Sequence, residues 1–127
     1  MAALDAAVDQ LHTRLAEAVE ALAEQTVAVA LELTDAILGR EVATATDPGG
    51  DALRRAMVLV DPHVAVTVRM HPEDRATLDP VALEGRAVAV VDDPTLARGD
   101  AVAETEDTLV DATVSAALER VREVLTR

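Results

Sequence analysis

The sequence predicts an α+β protein: a long N-terminal helix, acting as a coiled-coil-like arm, leads into a small, mostly antiparallel four-stranded sheet with covering helices. The first observation is a helical pattern over residues 2–45, which holds no proline and no glycine before Gly39. The second is a group of four short apolar or β-branched segments between residues 64 and 110, bounded by turn residues. The third is the order of the elements, because helices before, between and after the strands are typical of α+β proteins.

The long helix begins with a narrow apolar seam. Its apolar residues step by four and three, which is the spacing of a coiled-coil heptad. The seam consists of Leu4, Val8, Leu11, Leu15, Ala18 and Leu22. The heptad fails at Gln25, and from there the sequence predicts a wider apolar face that packs on a globular core. That face consists of Val27, Ala30, Leu31, Thr34, Ile37 and Leu38.

This change of spacing predicts two parts, a helical dimerisation arm over residues 1–25 and a globular domain over residues 26–127. The predicted contacts between two copies of the arm are Leu4, Val8, Leu11, Leu15 and Leu22. About three heptads are short for an isolated coiled coil. The alternative is therefore a helix that packs along its whole length on its own domain.

Turn residues and periodicity define the remaining elements. Thr46–Gly50 breaks the helical pattern, and Asp51 is the predicted N-cap of a short helix that ends before Pro62. Another short helix begins at Pro72, and Asp111 is the predicted cap of the last helix. The apolar face of the last helix is predicted as Val114, Ala117, Leu118, Val121 and Leu125. The predicted strands are Val64–Arg69, Ala87–Val91, Ala101–Thr105 and Thr108–Val110.

Composition argues against several classes of function. The net charge is −13, and all eleven basic residues are arginine. Duplex nucleic acid and anionic lipid both require clustered cations, so neither is an expected partner, whereas a basic protein surface is compatible. The absence of cysteine rules out disulfides and thiolate zinc sites. No apolar run approaches the ~20 residues of a membrane-spanning helix, so we expect no direct membrane insertion.

No motif in the sequence indicates catalysis. A phosphate-binding loop is absent, and Ser115 has no neighbouring base to activate it as a nucleophile. His71, Glu73 and Asp74 could bind a divalent ion in a small metal-dependent hydrolase, but the same residues suit a helix start, where acids interact favourably with the dipole. We therefore expect a protein without enzymatic activity and without a cofactor, which acts through its surfaces.

Carboxylates crowd the C-terminal third of the chain. They form either a solvated rim or a surface that meets a basic partner. The residues concerned are Asp92, Asp93, Asp100, Glu104, Glu106, Asp107 and Asp111.

Four segments together resemble the flagellar assembly protein FliH family over roughly residues 26–127. Val29–Glu41 resembles the family's helix entering its C-terminal domain, with an apolar-Gly-basic-Glu ending. Val66–Asp74 resembles its strand and His-Pro-acid-Asp turn. Asp93–Leu96 with Gly99 and Asp100 is similar to its Asp-Pro-small-Leu-x-x-Gly loop. Glu104-Thr105, followed by Val110–Ala112, resembles its hairpin and helix cap.

The resemblance implies a dimeric, stator-like regulator that binds the flagellar or type III export ATPase and positions it at the export gate. Type III secretion stator proteins are similar, and so is the E subunit of rotary ATPase stalks, which is the alternative function. The implied partners are the export ATPase, a second copy of the chain, and export-gate or rotor-switch components. The implied location is cytoplasmic, at the inner face of the membrane at the flagellar base. The ATPase contacts expected on the hairpin and the last helix are Glu104, Glu106, Asp107, Arg120 and Arg122.

Overall fold

The computed structural model describes residues 1–127 and confirms the α+β prediction. A long helix precedes a four-stranded sheet, and shorter helices cover one face of that sheet. The elements are α1 (Ala2–Thr44), α2 (Pro48–Met57), β1 (Val66–Met70), α3 (Pro72–Ala76), a 3-10 turn (Pro80–Leu83), β2 (Val88–Asp92), β3 (Ala101–Glu104), β4 (Leu109–Asp111) and α4 (Val114–Leu125). The 3-10 turn was not predicted, because its Asp79-Pro80 start indicated only the end of the preceding helix.

Helix α1 is continuous, and only its C-terminal part packs on the rest of the chain. Every residue from 1 to 26 is exposed, Val27 is the first that is partly buried, and Leu31 is the only fully buried one. Val27, Leu31 and Leu38 lie on the packed face as predicted. The prediction was wrong for Ala30, Thr34 and Ile37, which are exposed because they lie on other sides of the helix.

Asp47, and not the predicted Asp51, caps helix α2. The Asp47 carboxylate accepts a hydrogen bond from the Gly50 backbone N–H at 2.9 Å, and Pro48 occupies the first helical position. Asp51 lies inside the first turn, where its carboxylate pairs with Arg54 at 2.9 Å. The helix thus begins four residues earlier than the sequence indicated, because Pro48 starts the helix instead of lying in a linker.

The sheet is mixed, with strand order β2-β1-β3-β4. Strands β1 and β2 run parallel, with Val68 opposite Val90, while β1–β3 and β3–β4 are antiparallel. The parallel pair needs a crossover connection, and α3 with the 3-10 turn supplies it. Two of the three pairings are therefore antiparallel, as the sequence predicted.

Small aliphatic residues fill the core between α2 and one face of the sheet. The inward side chains of β1 are completely or almost completely buried, because alternate residues of a strand point to the same face. No aromatic residue is available, so alanines allow the close approach of helix and sheet. The core cluster is Ala52, Leu53, Ala56, Val60, Val66, Val68, Met70, Ala101, Ala103, Val110 and Ala112.

Helix α4 packs against the C-terminal half of α1. Val42 and Val114 line one groove between the two helices, and Leu31 and Leu118 line another, so α1 and α4 run antiparallel. Thr113, and not the predicted Asp111, caps α4, because its hydroxyl accepts the Ala116 N–H at 3.2 Å.

Candidate interaction surfaces

The three residues of the conceivable metal site have structural roles. The His71 ring accepts the Glu73 backbone N–H at 3.2 Å and thereby caps helix α3. The Asp74 carboxylate is fully buried and accepts hydrogen bonds from the Gly99 backbone N–H and the Arg98 side chain. No group of three or more His, Asp or Glu side chains is arranged to hold a metal ion. These residues therefore start and anchor a helix.

The loop Arg98–Asp100 joins elements that are distant in sequence. Gly99 has a φ of +80° and lies against Val42 of α1, while its carbonyl accepts from Arg55 of α2. Asp100 accepts the Val114 backbone N–H at 2.9 Å and so supports the start of α4. The loop thus connects the sheet to α1 and α4. These contacts fix the direction in which α1 leaves the globular part.

Two titratable groups have shifted pKa values, and both lie at this end of the molecule. The hydrogen bond to Asp74 raises the pKa of Arg98 above its ordinary value, and the charges of Asp74 and Glu73 add to that effect. Hydrogen bonds from the Thr95 hydroxyl and backbone N–H lower the pKa of Asp93, and Arg69, at 3.0 Å, lowers it further. Partial desolvation acts in the opposite direction and raises this pKa, but its effect is smaller. Both shifts favour the charged forms, so these groups form stable ion pairs.

A largely apolar groove lies on the surface of the domain. This groove, of 410 Å3, lies between α2 and the 3-10 turn, lined by Leu53, Met57, Leu83 and Val88. Arg86, at its edge, donates to the Val60 carbonyl at 3.2 Å. The groove is largely apolar and open to solvent, which suits contact with another protein surface better than chemistry.

All five predicted seam residues are exposed on the arm. Their exposed fractions range from 42% for Val8 to 65% for Leu4 and Leu11. Val19, which the heptad prediction passed over in favour of Ala18, is 59% exposed on the same side. A row of aliphatic side chains in water is unfavourable in a monomer and marks an interaction surface.

Three further aliphatic side chains of α1 are exposed beyond the arm. Val29, Leu33 and Ile37 are 53–61% exposed, although they lie beside the globular part. The sequence prediction assigned Val29 and Leu33 to no interface and placed Ile37 on the face that packs on the core. Their regular spacing from the earlier seam residues was the signal that could have identified them.

The predicted partner-binding residues form two separate patches. Glu104, Glu106 and Asp107 are exposed on the β3–β4 hairpin, which the Thr105 N–H to Thr108 carbonyl bond closes at 2.8 Å. On α4, Arg122 lies 3.7 Å from Glu119 and Arg120 donates to the Asp111 carbonyl at 3.4 Å. None of the ion pairs joins the hairpin acids to these arginines.

The end of α4 carries exposed apolar residues that the sequence assigned to a buried face. Val121 is 46% exposed and Leu125 is 55% exposed, because α4 extends beyond the part of the domain that covers it. Val124 beside them is 64% exposed. The prediction holds for Val114 and Leu118, which are partly buried, but it was wrong for Ala117, Val121 and Leu125, which are exposed.

One family of known proteins matches most of the chain. Residues 1–121 match the family described as "Flagellar assembly protein FliH". No curated protein matches the chain. None of its helices is long and apolar enough to cross a lipid bilayer.

Proposed function

The chain belongs to the flagellar assembly protein FliH family, and we propose that it is a dimeric, stator-like component of protein export that binds the export ATPase and positions it at the export gate. In this function α1 pairs with α1 of a second copy, and the globular part contacts the ATPase. The match over residues 1–121 is the observation that carries the proposal, because it includes both the arm and the domain.

The exposed row on the arm supports dimerisation. Leu4, Val8, Leu11, Leu15 and Leu22 gain a hydrophobic environment only when another molecule covers them. The arm, residues 1–25, thus acts as the dimerisation unit, and residues 26–127 act as the ATPase-binding domain. In this arrangement the helical arm extends from the ATPase-binding domain.

Two surface features support ATPase binding by the domain. The hairpin residues Glu104, Glu106 and Asp107 offer negative charge to a basic surface. The end of α4 combines exposed Val121 and Val124 with Arg120 and Arg122, and such a mixture of apolar and arginine side chains is typical of protein interfaces. We expect both patches to contact the ATPase.

The molecule acts mechanically in this proposal and performs no catalysis itself. His71, Glu73 and Asp74 are engaged in capping and anchoring α3, which removes the support for a metal-dependent hydrolase. Its place is in the cytoplasm at the inner face of the membrane at the flagellar base, with export-gate or rotor-switch components as further contacts.

The decisive experiment mixes the purified chain with a purified flagellar-type export ATPase and measures mass by light scattering after size exclusion. We expect one complex with two copies of the chain for each ATPase. Two independent peaks would refute ATPase binding. A catalytic subunit of a rotary ATPase is the matched control, and a preference for that subunit would instead favour an E-type stalk protein.

A further inference from the structure

Strand β2 forms one edge of the four-stranded sheet, and only one of its sides is paired. At its two ends the Ala87 carbonyl accepts the Val66 N–H at 3.0 Å, and the Asp93 N–H donates to the Met70 carbonyl at 2.8 Å. The N–H and C=O of one residue point to the same side of a strand, and this side alternates along the chain. Residues 87, 89, 91 and 93 therefore face β1.

The backbone groups of Val88, Val90 and Asp92 consequently point away from the sheet. Among the turn and side-chain bonds of the chain, only one involves these groups, the bond from the Val88 N–H to the Arg86 carbonyl at 3.0 Å. Free N–H and C=O groups along an edge form a template on which another strand can pair.

The opposite edge, β4, is protected in ways that β2 lacks. Strand β4 spans only Leu109–Asp111, and the Arg120 side chain donates to the Asp111 carbonyl at 3.4 Å. Strand β2 spans five residues, Val88–Asp92, with no proline and no charge before its last residue. Short length, internal charges and covering groups are the usual means by which proteins prevent edge pairing. The edge of this sheet that is open to another strand is therefore β2.

We propose that β2 of a second copy pairs antiparallel with β2, so that two four-stranded sheets join into one continuous sheet. The two-fold axis passes between the two copies of Ala89, which places Val88 opposite Val90 of the second copy. The N–H of each Val90 then donates to the opposing Val88 carbonyl. This contact is separate from the pairing of α1 in the proposed function and does not depend on it.

Charge and side-chain type favour this register over its neighbours. It brings Arg86 of each copy to Asp92 of the other, so opposite charges meet at both ends of the paired strands. An axis at Val90 would set Val88 against Asp92 instead. An axis at Val88 would set Glu84 against Asp92, and like charges opposite each other are destabilising. Only the register centred on Ala89 pairs valine with valine and arginine with aspartate.

Arg86 lacks an acidic partner within its own chain. It takes part in none of the ion pairs, and its Nε is buried without a hydrogen-bond partner, although Nη2 donates to the Val60 carbonyl at 3.2 Å. Asp92 pairs with Arg75 at 3.2 Å, yet its side chain is 48% exposed and a carboxylate accepts several donors. A second copy thus supplies the acid that Arg86 lacks.

The contact is small, because each copy contributes one short strand. It lies below the area of a stable independent interface, so we expect weak, concentration-dependent association. Two copies paired through α1 carry two β2 edges, and this tether raises the effective concentration of the second contact. The edge contact would therefore join one α1-paired dimer to another.

Single-cysteine variants test the pairing in the full chain, which has no cysteine of its own. Ala89→Cys lies at the two-fold axis, where the opposed Cα atoms of a non-hydrogen-bonded pair are about 4.5 Å apart, within the range of a disulfide. Leu109→Cys is the matched control, because Leu109 lies on the same face at the other edge and is 63% exposed. We expect the interchain disulfide of Ala89→Cys to form about 10-fold faster or more.

The same comparison in a Leu11→Asp, Leu15→Asp background separates this inference from the α1 dimer. We expect the preference for Ala89→Cys to persist there at a lower absolute rate, because the tether is lost. Equal rates for Ala89→Cys and Leu109→Cys would overturn the inference, since only random collision would then be measured. An absolute rate that the background leaves unchanged would refute the α1 pairing and not the edge contact.

Exchange of the flanking charges tests the register. Arg86→Asp and Asp92→Arg each place like charges at both ends of the pair and should slow crosslinking of Ala89→Cys by about 5-fold or more. The double exchange restores opposite charges and should return the rate to within about 2-fold of the parent. Urea denaturation followed by circular dichroism checks that each variant is folded. A folded double exchange that crosslinks no faster than the single variants would overturn the proposal.

Discussion

The carboxylate of Asp74 accepts the backbone N–H of Gly99 at 2.6 Å and thereby joins two segments 25 residues apart in sequence. Asp74 belongs to α3 and is completely buried, while Gly99 lies in the loop before β3. Arg98 donates to the same carboxylate, so a buried charge is both paired and hydrogen-bonded. The loop that supports α1 and α4 is therefore held by one acidic side chain.

Replacing Asp74 with Asn should destabilise the domain. The change removes the charge that pairs with Arg98 and weakens the bond to the Gly99 N–H, at a cost of about 2–3 kcal/mol in the free energy of unfolding. Urea denaturation followed by circular dichroism measures it. Glu73→Gln is the matched control, because Glu73 pairs with the same Arg98 but is 68% exposed. We expect this replacement to lower the free energy of unfolding by less than about 1 kcal/mol. Equal losses in the two variants would contradict the role of the buried carboxylate.

Gly99→Ala should be more harmful than the same change at Gly85. Both glycines have positive φ angles, of +80° and +77°, which costs an alanine about 1–2 kcal/mol. A Cβ at Gly99 would also overlap the Val42 side chain, whereas a Cβ at Gly85 meets open space. We expect an additional loss of about 1–3 kcal/mol for Gly99→Ala, from overpacking.

Denaturant unfolding of the two variants measures this difference. Adding Val42→Ala to Gly99→Ala should recover part of the steric cost but none of the conformational cost, so the two changes will not be additive. If Gly85→Ala and Gly99→Ala lowered the free energy of unfolding equally, the contact between the loop and α1 would make no contribution to stability.

The hydrogen-bonded carboxylate of Asp93 should make stability depend on pH in the acidic range. The bonds from Thr95 lower the pKa of Asp93 in the folded state, so the ionised carboxylate stabilises the fold at neutral pH. That contribution is fully present above the unfolded-state pKa of about 4 and is lost as the pH falls through the lower folded-state pKa.

Thr95→Val tests this dependence, because it removes the hydroxyl that donates to Asp93 and keeps the size of the side chain. Thermal denaturation from about pH 6 to about pH 2 should show a shallower loss of stability in the variant than in the parent. Thr77→Val, at an exposed threonine that does not contact Asp93, is the control. Parallel curves for all three proteins would contradict the assignment.

Local periodicity and turn residues predicted most of the fold. The alternation of Val66 and Val68 identified a strand, and Pro72 identified the start of α3, because both signals depend on a few neighbouring residues. The caps of α2 and α4 were misassigned by two or more residues, since several candidate acids and threonines lie next to one another and tertiary contacts select among them.

Long-range contacts limited what the sequence could reveal about the surfaces. The bond between Asp74 and Gly99 has no local pattern, so neither residue could be recognised as an anchor. The exposure of Leu33 was missed because the heptad ended at Gln25 and the widening pattern was assigned to the domain. The five seam residues were recognised because their spacing is local, and their pairing with a second copy remains a prediction.

The double variant Leu11→Asp with Leu15→Asp should convert a dimer into a monomer. Two buried carboxylates per chain at the centre of the seam would each require desolvation without a partner, which is highly unfavourable. We expect the dimer dissociation constant to rise at least 100-fold, as measured by analytical ultracentrifugation. The control is Asp9→Ala with Glu17→Ala, on other sides of the arm, which should leave the dimer intact. If the double Asp variant stayed dimeric, the assignment of Leu11 and Leu15 to the dimer interface would be wrong.

Neutralising the hairpin acids should weaken binding to the export ATPase. The triple variant Glu104→Gln, Glu106→Gln, Asp107→Asn removes three negative charges from one exposed turn, while the fold depends on none of their side chains. Because rim charges steer association, we expect about a 10-fold weaker complex and a smaller loss of affinity on adding salt. Isothermal titration at two salt concentrations measures both.

The matched control for the hairpin removes the same charge from elsewhere. Asp9→Asn, Glu17→Gln and Glu20→Gln neutralise three exposed acids on the arm, away from both the seam and the domain. If net charge alone attracted the ATPase, this variant would lose as much affinity as the hairpin variant. A loss confined to the hairpin variant would place the acidic contact on the β3–β4 turn, and reversal of Arg120 and Arg122 to Glu would then test the second patch on α4 separately.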